Sequence, residues 1–128
     1  MSLTNAFETS TLQYLLTTGS VTRPTAWYVG LFTSDPTDTG SAGTEVSGNG
    51  YTRVAATFSV TGDTASNTAS IEFPAASGGN WGTVGWIGIM DASSGGNMII
   101  HSALDTAKAI NDGDVFRIPT GDLDVTAS

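Results

Sequence analysis

The sequence predicts a mainly β fold, a single antiparallel β-sandwich or jelly-roll-like domain of about seven or eight strands with a short N-terminal helix. Three observations carry this reading. Charged residues make up only 12% of the 128 positions, about half the usual share for a soluble protein, while Gly, Ser, Thr and Ala abound. Apolar runs of strand length recur along the chain, and clusters of Gly, Asn, Asp and Ser separate them. A chain of this length buries roughly two-thirds of its unfolded surface around one core. The expected division is an N-terminal helix or arm over 1–22 and a β-sandwich domain over 23–128.

The elements follow in order. Asn5 and Glu8 stand at capping-box spacing, and Gly19 lies where a helix commonly stops, so a helix is expected within 2–16. Its apolar residues Leu3, Phe7, Leu12, Leu15 and Leu16 form a stripe. A helix of about three turns is marginal alone, so the stripe must dock on the domain or on a neighbouring subunit. Phe7, Leu12, Leu15 and Leu16 are therefore candidate interaction residues.

The run 26–32 is apolar on both faces, as in a strand buried on both sides. The segment 34–43, with Asp35, Pro36 and Asp38, is dense in turn residues and expected to be an exposed loop. A short strand is expected at 44–46, and Asn49-Gly50 favours the positive φ angles of a hairpin turn. From 51 to 60 the alternation is clean, with Thr52, Val54, Ala56, Phe58 and Val60 on one face, as in one half-buried antiparallel strand. Ala69, Ile71 and Phe73 mark the buried side of the next strand, closed by Pro74. Further strands are expected at 83–90, where glycines admit close packing, at 97–104, at 115–118 and at 123–125, with turns at 91–96 and 119–122. A weak echo links the Trp27 and Trp86 runs and carries no argument for duplication.

Charge excludes some functions. The net charge is −8 and the only bases are Arg23, Arg53, Lys108 and Arg117. Binding a nucleic-acid backbone needs a basic face, so no nucleic-acid partner is expected. No apolar run reaches membrane-spanning length, and the first twenty residues lack the basic region of a signal peptide. With no cysteine, disulfides and zinc-thiolate sites are excluded, and no cofactor or metal site is legible.

His101, beside Ser102 and near Asp105, is the one residue that invites a Ser-His-Asp reading; with no nucleophile-elbow pattern, a structural or surface role is preferred. Asn111-Asp112-Gly113-Asp114 has oxygen-bearing side chains but lacks the remaining pattern of a calcium loop, so a turn is preferred. The glycines around Asn49 and at Gly95-Gly96 are turns, since no helix follows to complete a phosphate cradle. Trp27 and Trp86 fall inside strand-like runs, where burial is expected. Trp81 lies in a Gly-rich loop, where ligand contact, subunit contact and core plug all remain open.

Thr44-Glu45-Val46-Ser47-Gly48-Asn49-Gly50-Tyr51, with Leu31-Phe32-Thr33-Ser34-Asp35-Pro36, Ile71-Glu72-Phe73-Pro74 and Trp81-Gly82-Thr83-Val84-Gly85-Trp86, resembles a family of small tailed-bacteriophage virion proteins commonly labelled tail fibre proteins. The similarity spans most of the chain. It implies a non-enzymatic structural component of the virion exterior, made in the host bacterial cytoplasm, and a homotrimer. A fibre shaft needs heptads or repeated β segments, and the chain has neither. The expectation is therefore a capsid cement or decoration protein bound to the major capsid protein. The alternative is a tail-fibre or baseplate domain that recognises a host surface through Trp81 and the 34–43 loop, with Asp35 and Asp38 as candidate contacts.

Overall fold

The computed structural model describes residues 1–127; Ser128, the last position of the expected β domain, lies outside the described residues. Ten strands and one helix succeed one another among them. They are β1 (Ser2–Leu3), α1 (Asn5–Leu16), β2 (Tyr28–Phe32), β3 (Val54–Ala55), β4 (Phe58–Thr61), β5 (Thr64–Asn67), β6 (Ile71–Glu72), β7 (Gly82–Met90), β8 (Met98–Ile110), β9 (Arg117–Ile118) and β10 (Asp124–Thr126). All pairings are antiparallel. They make a five-stranded sheet in the order β1-β8-β7-β2-β3, a three-stranded sheet β10-β5-β4 and a two-stranded sheet β6-β9.

The fold is mainly β and sandwich-like, as expected. One face of the large sheet presents Val29, Leu31, Ile87 and Ile89, and these pack in one core with Ile71, Phe73, Phe116 and Leu123 from the smaller sheets and their flanks. Strand alternation puts every second residue on that face. Tyr51 stacks on Phe73 at 6.2 Å, and Phe73 meets Phe116 edge-on at 5.7 Å. The opposite face is also covered, by Phe32, Met90 and Met98 with Tyr28 and Trp86 against them. This explains the two-sided apolar runs of β2 and β7. Gly88 makes the packing possible, since a Cβ there would lie 2.6 Å from Met98 Cε and 3.1 Å from Phe32 Cε1.

Four expectations change. The run 51–60 is not one strand: it breaks at Ala56 and Thr57, with β3 pairing to β2 and β4 to β5. The chain turns a corner between sheets there, held by Ala56 N to Trp27 O and Thr68 N to Thr57 O, each 2.9 Å. Val60, expected to be buried, is 73% exposed on the far side of that corner. β5 was not expected, because Thr64-Ala65-Ser66-Asn67 carries no apolar alternation; buried Asn67 supplies its hold instead. Its amide donates to Ala69 O and Pro119 O, and its Oδ1 accepts from Leu123 N at 3.0 Å. β8 runs to Ile110, six residues past the expected end, because β7 pairs with it as far as Gly82↔Ile110.

The helix also starts later than expected. Ser2 and Leu3 pair with His101 and Ile100 on β8, so Leu3 belongs to the sheet rather than to a helical stripe. Thr4 is the N-cap, yet its side chain caps nothing; the buried hydroxyl donates 2.7 Å to Met98 O. The Asn5–Glu8 capping box is thus absent, because the residue before Asn5 is already fixed by the sheet edge.

A clasp of charged and polar groups ties the segment 45–53 to the large sheet. Arg53 holds both carboxylate oxygens of Glu45 at 2.8 Å and donates to the carbonyls of Ala92 and Gly95 at 2.8 and 2.9 Å. Tyr51 donates to Glu45 at 2.6 Å while accepting from Leu31 N of β2 at 2.9 Å. Burial, reinforced by the Glu45 bond, pushes the Tyr51 phenol far above its ordinary pKa. The Glu45 hydrogen bond raises that of Arg53.

Two outcomes follow. Arg53 and Glu45 side chains are 8% and 24% exposed, so Arg53→Met, which strands the carboxylate, should cost about 3 kcal/mol in urea unfolding. An unfolded tyrosine ionises near pH 10, whereas folded Tyr51 keeps its proton. The unfolded chain then binds fewer protons, and stability falls above pH 10 by up to about 1.4 kcal/mol per pH unit. Urea titrations near pH 9 and pH 11 should show this slope reduced in Tyr51→Phe.

Candidate functional site

Helix α1 is the first candidate surface. It forms because Asn5–Leu16 contains good helix formers and no Gly or Pro, but none of its residues is buried. Leu12, Leu15 and Leu16 are 58%, 65% and 77% exposed and Tyr14 is 74% exposed. Only Phe7, at the first turn, packs against the main core. The expected stripe therefore divides: Phe7 anchors the helix, and Leu12, Leu15 and Leu16 project beyond the domain. Around Phe7, Tyr14 and Leu15 the helix and the returning segment at Val21 and Pro24 line an apolar groove of about 360 Å³. A second apolar groove lies at the open side of the sandwich, where Leu3 and Ile100 of the large sheet face Val60, Ala65 and Val125 of the small one.

The second candidate surface lies on the outer face of the large sheet. The segment 34–43 is largely exposed, as expected, with only Pro36 buried, and it folds down over this face. Asp35 Oδ1 accepts from Thr37 N at 2.9 Å, and Thr37 takes a positive φ of 58° to close the turn. Asp38 fastens the segment twice, its carbonyl accepting from Asn5 N at 2.8 Å and its carboxylate lying 2.9 Å from His101 Nε2. Beside this tether Met1, Ser2, Asp35, Trp86 and His101 line an open cleft of about 270 Å³.

The other singled-out residues are placed as follows. Trp81 is 6% exposed, lies edge-on to Tyr51 at 5.3 Å and donates its indole N–H to Asn49 O at 2.9 Å. Of its three open readings, this burial fits the core plug. Trp86, expected as scaffold, is half-buried and borders the cleft. Nothing in its sequence context separated it from Trp27; only the strand alternation, counted across the sheet, puts it on the outer face. The Ser102 hydroxyl donates to Ala103 O at 3.1 Å, not to His101, so these residues do not form a nucleophile–base pair. Asn111 N bonds to Asp114 Oδ2 and Asp114 N to Asn111 O, both at 2.9 Å, which makes 111–114 the self-bonded turn expected. Among the described residues no group of three His, Asp or Glu side chains is placed to hold a metal. No helix among the described residues is long and apolar enough to cross a membrane.

Comparison with known proteins gives one finding. A family model described as podophage GP4 fiber I protein gp80 matches residues 2–126. No curated protein matches the chain.

Because Leu12 and Leu16 touch little of their own domain, Leu12→Gln and Leu16→Gln should each change the unfolding free energy of the monomer by less than about 0.5 kcal/mol. Dilute urea titrations read by far-UV circular dichroism check this. A loss comparable to that of Phe73→Ala, about 3 to 5 kcal/mol, would mean that the helix packs on the domain.

Proposed function

The chain belongs to the family described as podophage GP4 fiber I protein gp80, and from that premise we propose that it is a non-enzymatic building block of a tail fibre. It is a structural protein of a phage virion, and the match over residues 2–126 is the observation that carries the reading. The sequence expectation of a capsid cement or decoration protein has less support, because the matched family is described by a fibre. The missing shaft then marks a compact unit joined to others, not a fibre that stands alone.

Self-association through α1 completes the proposal. Residues 1–24 carry one acid, Glu8, and one base, Arg23, so the remaining chain bears the whole charge of −8. Two copies that met through their β domains would oppose like charges, whereas α1 offers an almost uncharged apolar contact. Its Leu12, Leu15 and Leu16 match the chemistry of the groove formed by Leu3, Val60, Ile100 and Val125. A helix of one copy seated in the groove of the next satisfies both, and closed exchange of this kind is a common route to symmetric oligomers. The trimer implied by the resemblance fits such a ring.

Gold-labelled antibody on purified particles should decorate the tail at a few sites per virion. Labelling over the whole shell, at a copy number near that of the capsid protein, would restore the cement reading. Light scattering should show an oligomer for the wild type and monomers for both Leu15→Gln/Leu16→Gln and Val60→Glu.

A further inference from the structure

We propose that the cleft beside the Asp38–His101 tether binds a neutral saccharide. The proposal deepens the fibre reading and rests on it for the source of the ligand, a host surface polysaccharide. The cleft forms where the segment 34–43 stops short of covering the outer face. Register sets its floor: Trp86 pairs with Ala103, and Gly88 with His101, so these positions share the outer face.

The groups left free there define the ligand. Trp86 is half-buried, and its indole N–H meets no acceptor among the described residues. Among the described residues no buried side-chain nitrogen or oxygen lacks a partner, so this N–H opens to solvent. Asp35 uses Oδ1 for Thr37 N, which leaves Oδ2 as a free anionic acceptor. Ser2 pairs with His101 on the outer face, lines the same cleft and keeps its hydroxyl lone pairs. An aromatic face, one N–H donor, one carboxylate oxygen and one hydroxyl acceptor therefore border the same space.

Sugars present that pattern in reverse. Their C–H faces carry the positive edge that the indole π face attracts, and their hydroxyls both donate and accept. Charge-assisted bonds to a carboxylate are the stronger ones, so Asp35 is the expected anchor. The described lining holds no Lys or Arg, and the one α-ammonium it contains, that of Met1, is matched by the carboxylate of Asp35; with a chain charge of −8 this disfavours phosphorylated or acidic sugars. A bulky apolar ligand finds no enclosure in so open a cleft.

The test is saturation-transfer NMR and titration calorimetry on the full chain with methyl glycosides of glucose, galactose, mannose, rhamnose and N-acetylglucosamine, then with choline chloride. At least one neutral glycoside should bind. Asp35→Asn, which keeps the acceptor for Thr37 N, should weaken it by about tenfold or more with unfolding unchanged. Trp86→Ala should abolish the transfer signal. Binding of none of the glycosides, equal binding by both variants, or choline binding in place of sugar would overturn the assignment. Fibre labelling without saccharide binding would remove the cleft assignment alone; saccharide binding by a protein found on the shell would remove the fibre reading alone.

Discussion

The bidentate pair between Arg53 and Glu45 is the constraint on which much of the architecture depends. A guanidinium this buried is tolerated only when its donors are satisfied, and here they reach a carboxylate and two carbonyls. One side chain thereby fixes three separate stretches: Glu45, which forms an isolated bridge with Phe32, the start of the 53–61 corner, and the turn between β7 and β8. Tyr51 adds the backbone of β2 to the same network. In a chain with four bases, one is spent on holding the sandwich together.

Strands with apolar faces were legible in the sequence, and strands held by polar contacts were not. β2 and β7 announced themselves through Val29, Leu31, Ile87 and Ile89, because burial on both sides leaves little room for polar residues. The turn at Gly48, Asn49 and Gly50 was legible through its chemistry, and all three take positive φ. β5 escaped because Asn67 rather than a hydrophobic face secures it. The alternation over 51–60 misled because its polar-looking face, Tyr51 and Arg53, is the one that the clasp needs.

The candidate surfaces were legible in part for related reasons. The helix stripe could be read, since Leu12, Leu15 and Leu16 stay largely exposed and so look alike in sequence and in structure. Asp35 and Asp38 were found through their loop, but their roles differ: Asp38 secures the N-terminal segment and Asp35 keeps a free oxygen. Trp81 is buried despite its loop setting, and Trp86, expected in the interior, borders a cleft. Loop surroundings do not guarantee exposure when a carbonyl such as Asn49 O waits for the indole N–H, and a strand does not guarantee burial when one face of its sheet is only partly covered.

The pairing of β1 with β8 carries a kinetic consequence. Thr4 and Met98 are 94 positions apart, so the contact closes a loop of nearly the whole chain, and closure entropy is spent before any reward arrives. The β7–β8 hairpin, joined by one short turn, needs no such search and is the natural nucleus. Edge strand β1 and its helix then join last. The N-terminal segment is thereby the last part of the chain to gain its place on the sheet.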